Sequence, residues 1–260
     1  MATSFAWAGD GAAVDPTGFS KDGRYFAFEQ YGTESVSGMD YSLTDVLEVA
    51  SGKSVDGMPL VVDMTTVDDS LLQDPNQDSL LVIRQQAKRQ AAPVLERFGI
   101  YVGSGTQVGL VAASRSRETT LAIADETDGR QSPVVTALQQ AAIATMPLDP
   151  SVFGAGARIE LYEMPFDTAV ANCSDYGYSG KSFTLALLRD GKPSLALGTA
   201  SLPRADDDSC PLGFGLAEAQ ALRLTDNSVA LVVLVQRFEY IMEGPDRRFT
   251  AVTTLVRGGQ

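Results

Sequence analysis

The chain contains no histidine. That absence removes Ser-His-Asp and Cys-His catalysis and every zinc site built on imidazole, because histidine is the side chain whose unperturbed pKa lies near neutrality. No serine is followed three residues later by lysine, so the Ser-Lys acylating motif is missing as well. No apolar run approaches the roughly eighteen residues of a membrane-spanning helix. Basic residues are scarce: 20 Lys plus Arg stand against 33 Asp plus Glu, a net charge of −13 over 260 residues. That balance favours solubility and argues against a nucleic-acid backbone or an anionic membrane surface as partner.

Cysteine is scarce too, with Cys173 and Cys210 alone. Both stand in Gly-, Ser- and Asp-rich stretches rather than in apolar runs, whereas free structural cysteines prefer cores. A disulfide between them is the expectation, and two unrelated thiols are the alternative. The opening "MATSFAWAGDGAAVD" has no charged n-region or apolar h-region and reads as a mature secreted start carrying an added methionine.

What is present is mostly β patterning. In "GFSKDGRYFAFEQYG", Gly18 to Gly32, the Lys21-Asp22-Gly23 stretch is a tight turn, since Asp-Gly tolerates positive φ. The alternation that follows sets Phe26 and Phe28 on one face and Tyr25 and Ala27 on the other, as in a strand between two packed layers. Val46 to Val49, a turn at Ala50-Ser51-Gly52-Lys53, and Ser54-Val55 continue the pattern. Further strands are expected at 107–112, 120–124 and 158–164, with another turn at Asp128-Gly129. Phe183 to Leu188 and Ser194 to Leu197 flank an Asp190-Gly191 hairpin turn. A meander then runs through 221–224, 229–238 and 249–256, with turns at Thr225 to Asn227 and at Glu243 to Asp246. Its "VALVVLV" run is too apolar to face water on either side and belongs mid-sheet between layers.

One helix is expected over about 74–98, near 24 residues long. Asp74-Pro75-Asn76-Gln77 reads as a capped start, and Gly99 fits the position after the last turn. Leu80, Ile83, Ala87, Ala91, Val94, Leu95 and Phe98 form its core stripe, and Pro93 should kink it. Residues 132–145 are ambiguous between strand and helix and are read as helix. The fold expectation is therefore mainly β: antiparallel meanders, propeller-blade-like or as a two-sheet sandwich, with one inserted kinked α-helix. The chain reads as a single compact unit over 1–260, with a soft boundary near 150–156.

Candidate sites are few. "YVGSGTQVG" has glycines at 103, 105 and 109, but the spacing misses the dinucleotide fingerprint and the stretch follows a helix instead of opening one. Asp125, Glu126 and Asp128, and the run Asp206 to Asp208, offer carboxylates for a hard cation, yet neither has calcium-loop spacing and both read as solvated turns. No metal and no cofactor is expected. In "EGPDRRF", Asp246, Arg247 and Arg248 are a candidate anion or carboxylate clamp, set against a turn held by local charge pairs.

Two resemblances follow from these residues. "FSKDGRYFAF" resembles the blade repeat of WD-like and TolB-like propellers. "GFSKDGRYFAFEQYG", "AAPVLERFGI", the cysteine pair and "ALVVLVQRFEYIMEGPDRRFTAV" together resemble an uncharacterised family of predicted secreted proteins of Gram-negative bacteria, a domain of unknown function. That resemblance implies export to the periplasm and assigns no catalytic residue. The functional expectation is a non-enzymatic periplasmic or secreted binding protein, or an envelope-associated interaction protein, whose partner is an unknown protein or glycan. A glycan-acting hydrolase with paired carboxylates and a structural component of a larger envelope assembly are the alternatives.

Overall fold

The computed structural model describes residues 11–34, 36–72, 74, 76–111, 142–165, 173, 180–199, 210–241 and 244–257. In chain order these form β1 (Ala13–Phe19), β2 (Tyr25–Thr33), β3 (Asp40–Glu48), β4 (Lys53–Ser54), β5 (Leu60–Asp63), α1 (Ser79–Arg97) and β6 (Thr106–Leu110). There follow β7 (Ala144–Pro147), α2 (Pro150–Phe153), β8 (Arg158–Pro165), β9 (Lys181–Arg189), β10 (Lys192–Thr199), β11 (Cys210–Arg223), β12 (Val229–Ile241) and β13 (Gly244–Val256). The expected strand at 120–124, the Asp128-Gly129 turn and the stretch 132–141 lie outside the described residues. Ala144 and Thr145, expected as helix, begin β7.

The strands pair antiparallel into three sheets. The N-terminal sheet runs β1-β2-β3, with β4 and β5 both on the far edge of β3; the outer sheet runs β10-β9-β8-β7, and the central sheet β13-β12-β11-β6. The outer sheet is thus inserted in sequence between the first strand of the central sheet and its other three.

Side-chain alternation on β12 explains the stacking. Val229, Leu231, Val233 and Val235 join one core with Ile159, Leu161, Leu185 and Leu187 of the outer sheet. Ala230, Val232 and Leu234 point the other way, into a core with Phe19, Phe26, Phe28 and Leu47 of the N-terminal sheet. A strand with apolar side chains on both faces is stable only between two layers, and each such burial contributes roughly 1.5–3 kcal/mol. The stack is therefore three sheets deep.

A fourth layer is α1, on the far face of the N-terminal sheet. Tyr25, Ala27 and Val46 pack there against Val94, Leu95 and Phe98, and Val62 packs against Val82, Ile83 and Ala87. The division of Tyr25 and Ala27 from Phe26 and Phe28 is as their alternation requires. The helix itself is shorter than its pattern. It starts at Ser79 because Asp78, not Asp74, caps it, its carboxylate accepting the Leu80 and Leu81 amides. Asp74 instead accepts the Asn76 amide in a local turn. The helix passes through Pro93.

At the other end the Gly99 amide donates to the Glu96 carbonyl and the Ile100 amide to the Leu95 carbonyl, at 3.0 and 2.9 Å. With Gly99 at φ 63° this is a Schellman ending, in which glycine takes the left-handed position cheaply. At the C-terminal hairpin Gly244, Pro245 and Asp246, expected within a turn, are strand residues of β13.

Candidate functional site

The Schellman ending delivers the chain to the open edge of β1. Beyond Ile100 the Tyr101 amide donates to the Phe19 carbonyl and the Gly103 amide to the Thr17 carbonyl, at 3.1 and 2.8 Å. Ser104 Oγ accepts the Phe19 amide at 2.6 Å and faces the Phe19 and Tyr101 carbonyls at 2.7 and 2.6 Å. This close approach requires glycine at position 18: a Cβ there would lie 2.4 Å from the Tyr101 carbonyl oxygen.

Between β1, this loop and the central sheet opens a cleft of about 260 Å³. Residues 16–18 of β1 form one wall, residues 103–105 another, and Gln107 of β6 with Glu218 and Gln220 of β11 complete the lining. Register slips by one residue occur in all three strands beside it. Thr17 is the extra residue between Pro16 and Gly18 in β1, Ala217 in β11 and Val108 in β6. Bulges of this kind re-aim side chains and gather next to functional sites.

The slip at Ala217 builds the site. Phe214 and Leu216 face the outer sheet, and so do Ala219 and Ala221. The parity of the inward residues therefore changes from even to odd across the bulge. A regular strand would carry Glu218 into the apolar core beside Leu216. The bulge instead sets Glu218 on the cleft face with Gln220, whose Nε2 donates to Glu218 Oε1. Glu218 is wholly buried, at 0% exposure, and Gln107 sits directly opposite Gln220 in the β6–β11 ladder.

A second polar cluster lies under α1. Arg84 makes two hydrogen bonds to the buried Glu29 carboxylate, both at 2.9 Å, and a further ion pair to Asp15. Ser42 donates to Glu29 Oε1 at 2.9 Å, and the Arg84 guanidinium stacks 3.4 Å from the centre of the Tyr31 ring. Burial alone would push the Glu29 carboxyl up, but the hydrogen bonds and charge of Arg84, with Lys88 and Ser42, outweigh it and hold it below its usual range. Burial alone would lower Arg84, but hydrogen bonding and charge from Glu29, with Tyr31 and Asp15, outweigh it and raise it. These groups answer one another, and the cluster fastens helix to sheet.

Cys173 and Cys210 form a disulfide with Cα atoms 5.0 Å apart, and both residues are fully buried. Arg247 is buried, its Nε and Nη2 donating to the Ala12 carbonyl at 3.0 and 2.8 Å. Arg248 donates to Asp246 at 3.2 Å, with its guanidinium 5.0 Å from the Tyr41 ring centre. These three residues do not line the cleft. Asp125, Glu126, Asp128 and Asp206 to Asp208 lie outside the described residues, among which no group of three or more His, Cys, Asp or Glu gathers as metal ligands.

The cleft itself went unread in the sequence. Its two signals are the Gly-Ser-Gly step after a helix C-cap, rejected as a nucleotide motif, and a Glu and a Gln two apart within the apolar "LGFGLAEAQAL". Fold and site together define a layered antiparallel β protein with a disulfide and a small polar cleft among its described residues. The chain belongs to the family described as Predicted secreted protein (DUF2259), whose model matches residues 27–254. No curated protein and no solved structure matches it. Among the described residues no helix is long and apolar enough to cross a membrane.

Proposed function

We propose that this protein is a non-enzymatic binding protein of the periplasm or secreted space, and that it holds a small ligand in the cleft above Glu218. The observation that carries this reading is a fully buried carboxylate set into an open polar cleft by a bulge. Strands bulge at a cost in pairing, and the bulge at Ala217 is what turns Glu218 and Gln220 from the apolar core to the cleft face, which fits a site better than a packing accident. A secreted family and an acidic surface fit a soluble carrier or sensor. The Gram-negative periplasm and a kinship with propellers belong to the same proposal, supported by four-stranded antiparallel sheets stacked face to face.

Hydrolysis of a glycan by paired carboxylates is less favoured. That chemistry needs two carboxyl groups roughly 5–9.5 Å apart, and among the described residues lining the cleft Glu218 is the one acid.

Native mass spectrometry of the protein taken from the extracytoplasmic fraction tests the reading. A small-molecule adduct present on the wild type and absent from Gln220→Ala supports it. Bare protein in both samples, or an adduct retained by the variant, overturns it.

A further inference from the structure

Helix α1 holds both walls of the cleft. Its C-terminal end runs directly into one of them: Ile100 is buried and bridges to Ser20, and beyond it the Tyr101 and Gly103 amides are bound to the Phe19 and Thr17 carbonyls. Packing of Val94, Leu95 and Phe98 on Tyr25, Ala27 and Val46 keeps that last turn seated past Pro93, which removes one amide from the helix ladder. The other wall is reached through Arg84. Its guanidinium holds Glu29, lies over the Tyr31 ring, and ends on Asp15, the residue before the wall that begins at Pro16. The floor is built differently, for Gln107, Glu218 and Gln220 stand on β6 and β11 of the central sheet. Wall and floor join at Gly105, whose φ of 93° suits glycine, and the chain turns again at Gly103, with φ 77°.

We propose that α1 is the control element of the cleft: its seating on the N-terminal sheet sets where both walls stand, and release of Asp15 by Arg84 loosens the two together. The site is the cleft of the binding reading above, but the claim concerns its walls alone and its test uses no ligand, so each can fail without the other. Coupling between separate sites is carried by rigid elements joined through hydrogen bonds and ion pairs, and α1 with its two grips is such a path. Arg84 suits a release role because its two contacts differ in depth. The Glu29 side chain is 4% exposed and the Asp15 side chain 53%. An exposed pair of this kind is weak and screened by salt, so the outer contact breaks readily while the inner one keeps the helix in place. Gly103 and Gly105 then give the freed wall its hinge, since a few backbone positions absorb such motions.

Amide hydrogen exchange of the purified chain, followed by NMR, reads the coupling. Arg84→Lys keeps a positive charge beside Glu29 and removes the fork that also reaches Asp15. Val94→Ala weakens the seat of α1 on Tyr25 and Val46. In each variant, exchange at the Phe19, Tyr101 and Gly103 amides should rise together by about fivefold or more, the lower end of ordinary coupling between sites, while Gln107 and Gln220 stay unchanged. Asp15→Asn leaves the buried Glu29 pair intact, so it serves where Arg84→Lys does not fold, with the same rise expected. Wall amides unchanged in both α1 variants overturn the proposal. A rise of equal size at Gln107 and Gln220 overturns it as well, because the whole fold would then be loosening rather than the walls.

Discussion

The side-chain amide of Gln30 closes on both main-chain polar groups of Phe249: Oε1 accepts the Phe249 amide at 3.0 Å and Nε2 donates to its carbonyl at 3.4 Å. Phe249 lies on β13, the edge of the central sheet, and Gln30 lies in the N-terminal sheet. A side-chain amide thus stands in for a neighbouring strand and seals an edge that would otherwise invite pairing with another chain. Gln30→Ala leaves two buried main-chain groups without this partner. At roughly 1–3 kcal/mol each, the expected loss is about 2–6 kcal/mol. Urea unfolding reads it as a lower midpoint at unchanged slope, and an unchanged midpoint would contradict it.

The Glu29–Arg84 pair makes the fold sensitive to acid. The folded-state carboxyl of Glu29 lies below its usual 4.5, so its stabilisation is complete above about that pH and fades as pH falls through the lower, folded-state value. Arg84→Met leaves the buried carboxylate without its main partner, at an expected cost of about 3–5 kcal/mol near neutrality. Unfolding measured from pH 7 to pH 2 should show the gap between the two proteins narrowing as Glu29 protonates.

Asp45 carries the opposite sign. Burial raises its carboxyl, outweighing the hydrogen bonds from Ser54 and the Val46 amide. Its ionisation therefore weakens the folded state as pH rises through the raised value. Asp45→Asn should increase Tm at pH 7 and leave it nearly unchanged at pH 3, as scanning calorimetry would show.

Joining residues 37 apart, the Cys173–Cys210 disulfide is worth about 4 kcal/mol in the chain-entropy model. Both residues are fully buried, so reductant alone should leave the native protein oxidised. Thiol trapping is expected to detect free cysteine only once denaturant is added with the reductant.

Ala217 tests how the site is built. Its deletion restores regular alternation and turns Glu218 toward the apolar core between the central and outer sheets. The expected cost exceeds about 4 kcal/mol, the range of an uncompensated buried charge. Ala217→Gly keeps the extra residue and should lose only about 0.5–1 kcal/mol.

Side-chain alternation marks where the sequence is legible. Phe26, Phe28, Tyr25 and Ala27 announce a strand between two layers, and "VALVVLV" announces a strand buried on both faces, because period-two alternation maps directly onto which neighbour each face meets. The helix stripe and Gly99 are legible for the same local reason. Its start is not, since Asp74 and Asp78 are both good caps and the choice depends on which turn the preceding segment makes. The cleft is the least legible part. Glu218 lines it only because three strands slip by one residue at one place, and register slips depend on tertiary packing that no local pattern records. Arg247, conspicuous in sequence, sends two of its hydrogen bonds to the Ala12 carbonyl 235 residues away.

The central claim is that the cleft over Glu218 is a ligand site. The most direct measurement releases small molecules from the protein's native compartment and titrates them onto the purified chain while backbone amide resonances are followed. Saturable shifts confined to residues 17–18, 103–107 and 218–220 are predicted. Saturation elsewhere with these amides unmoved would contradict it.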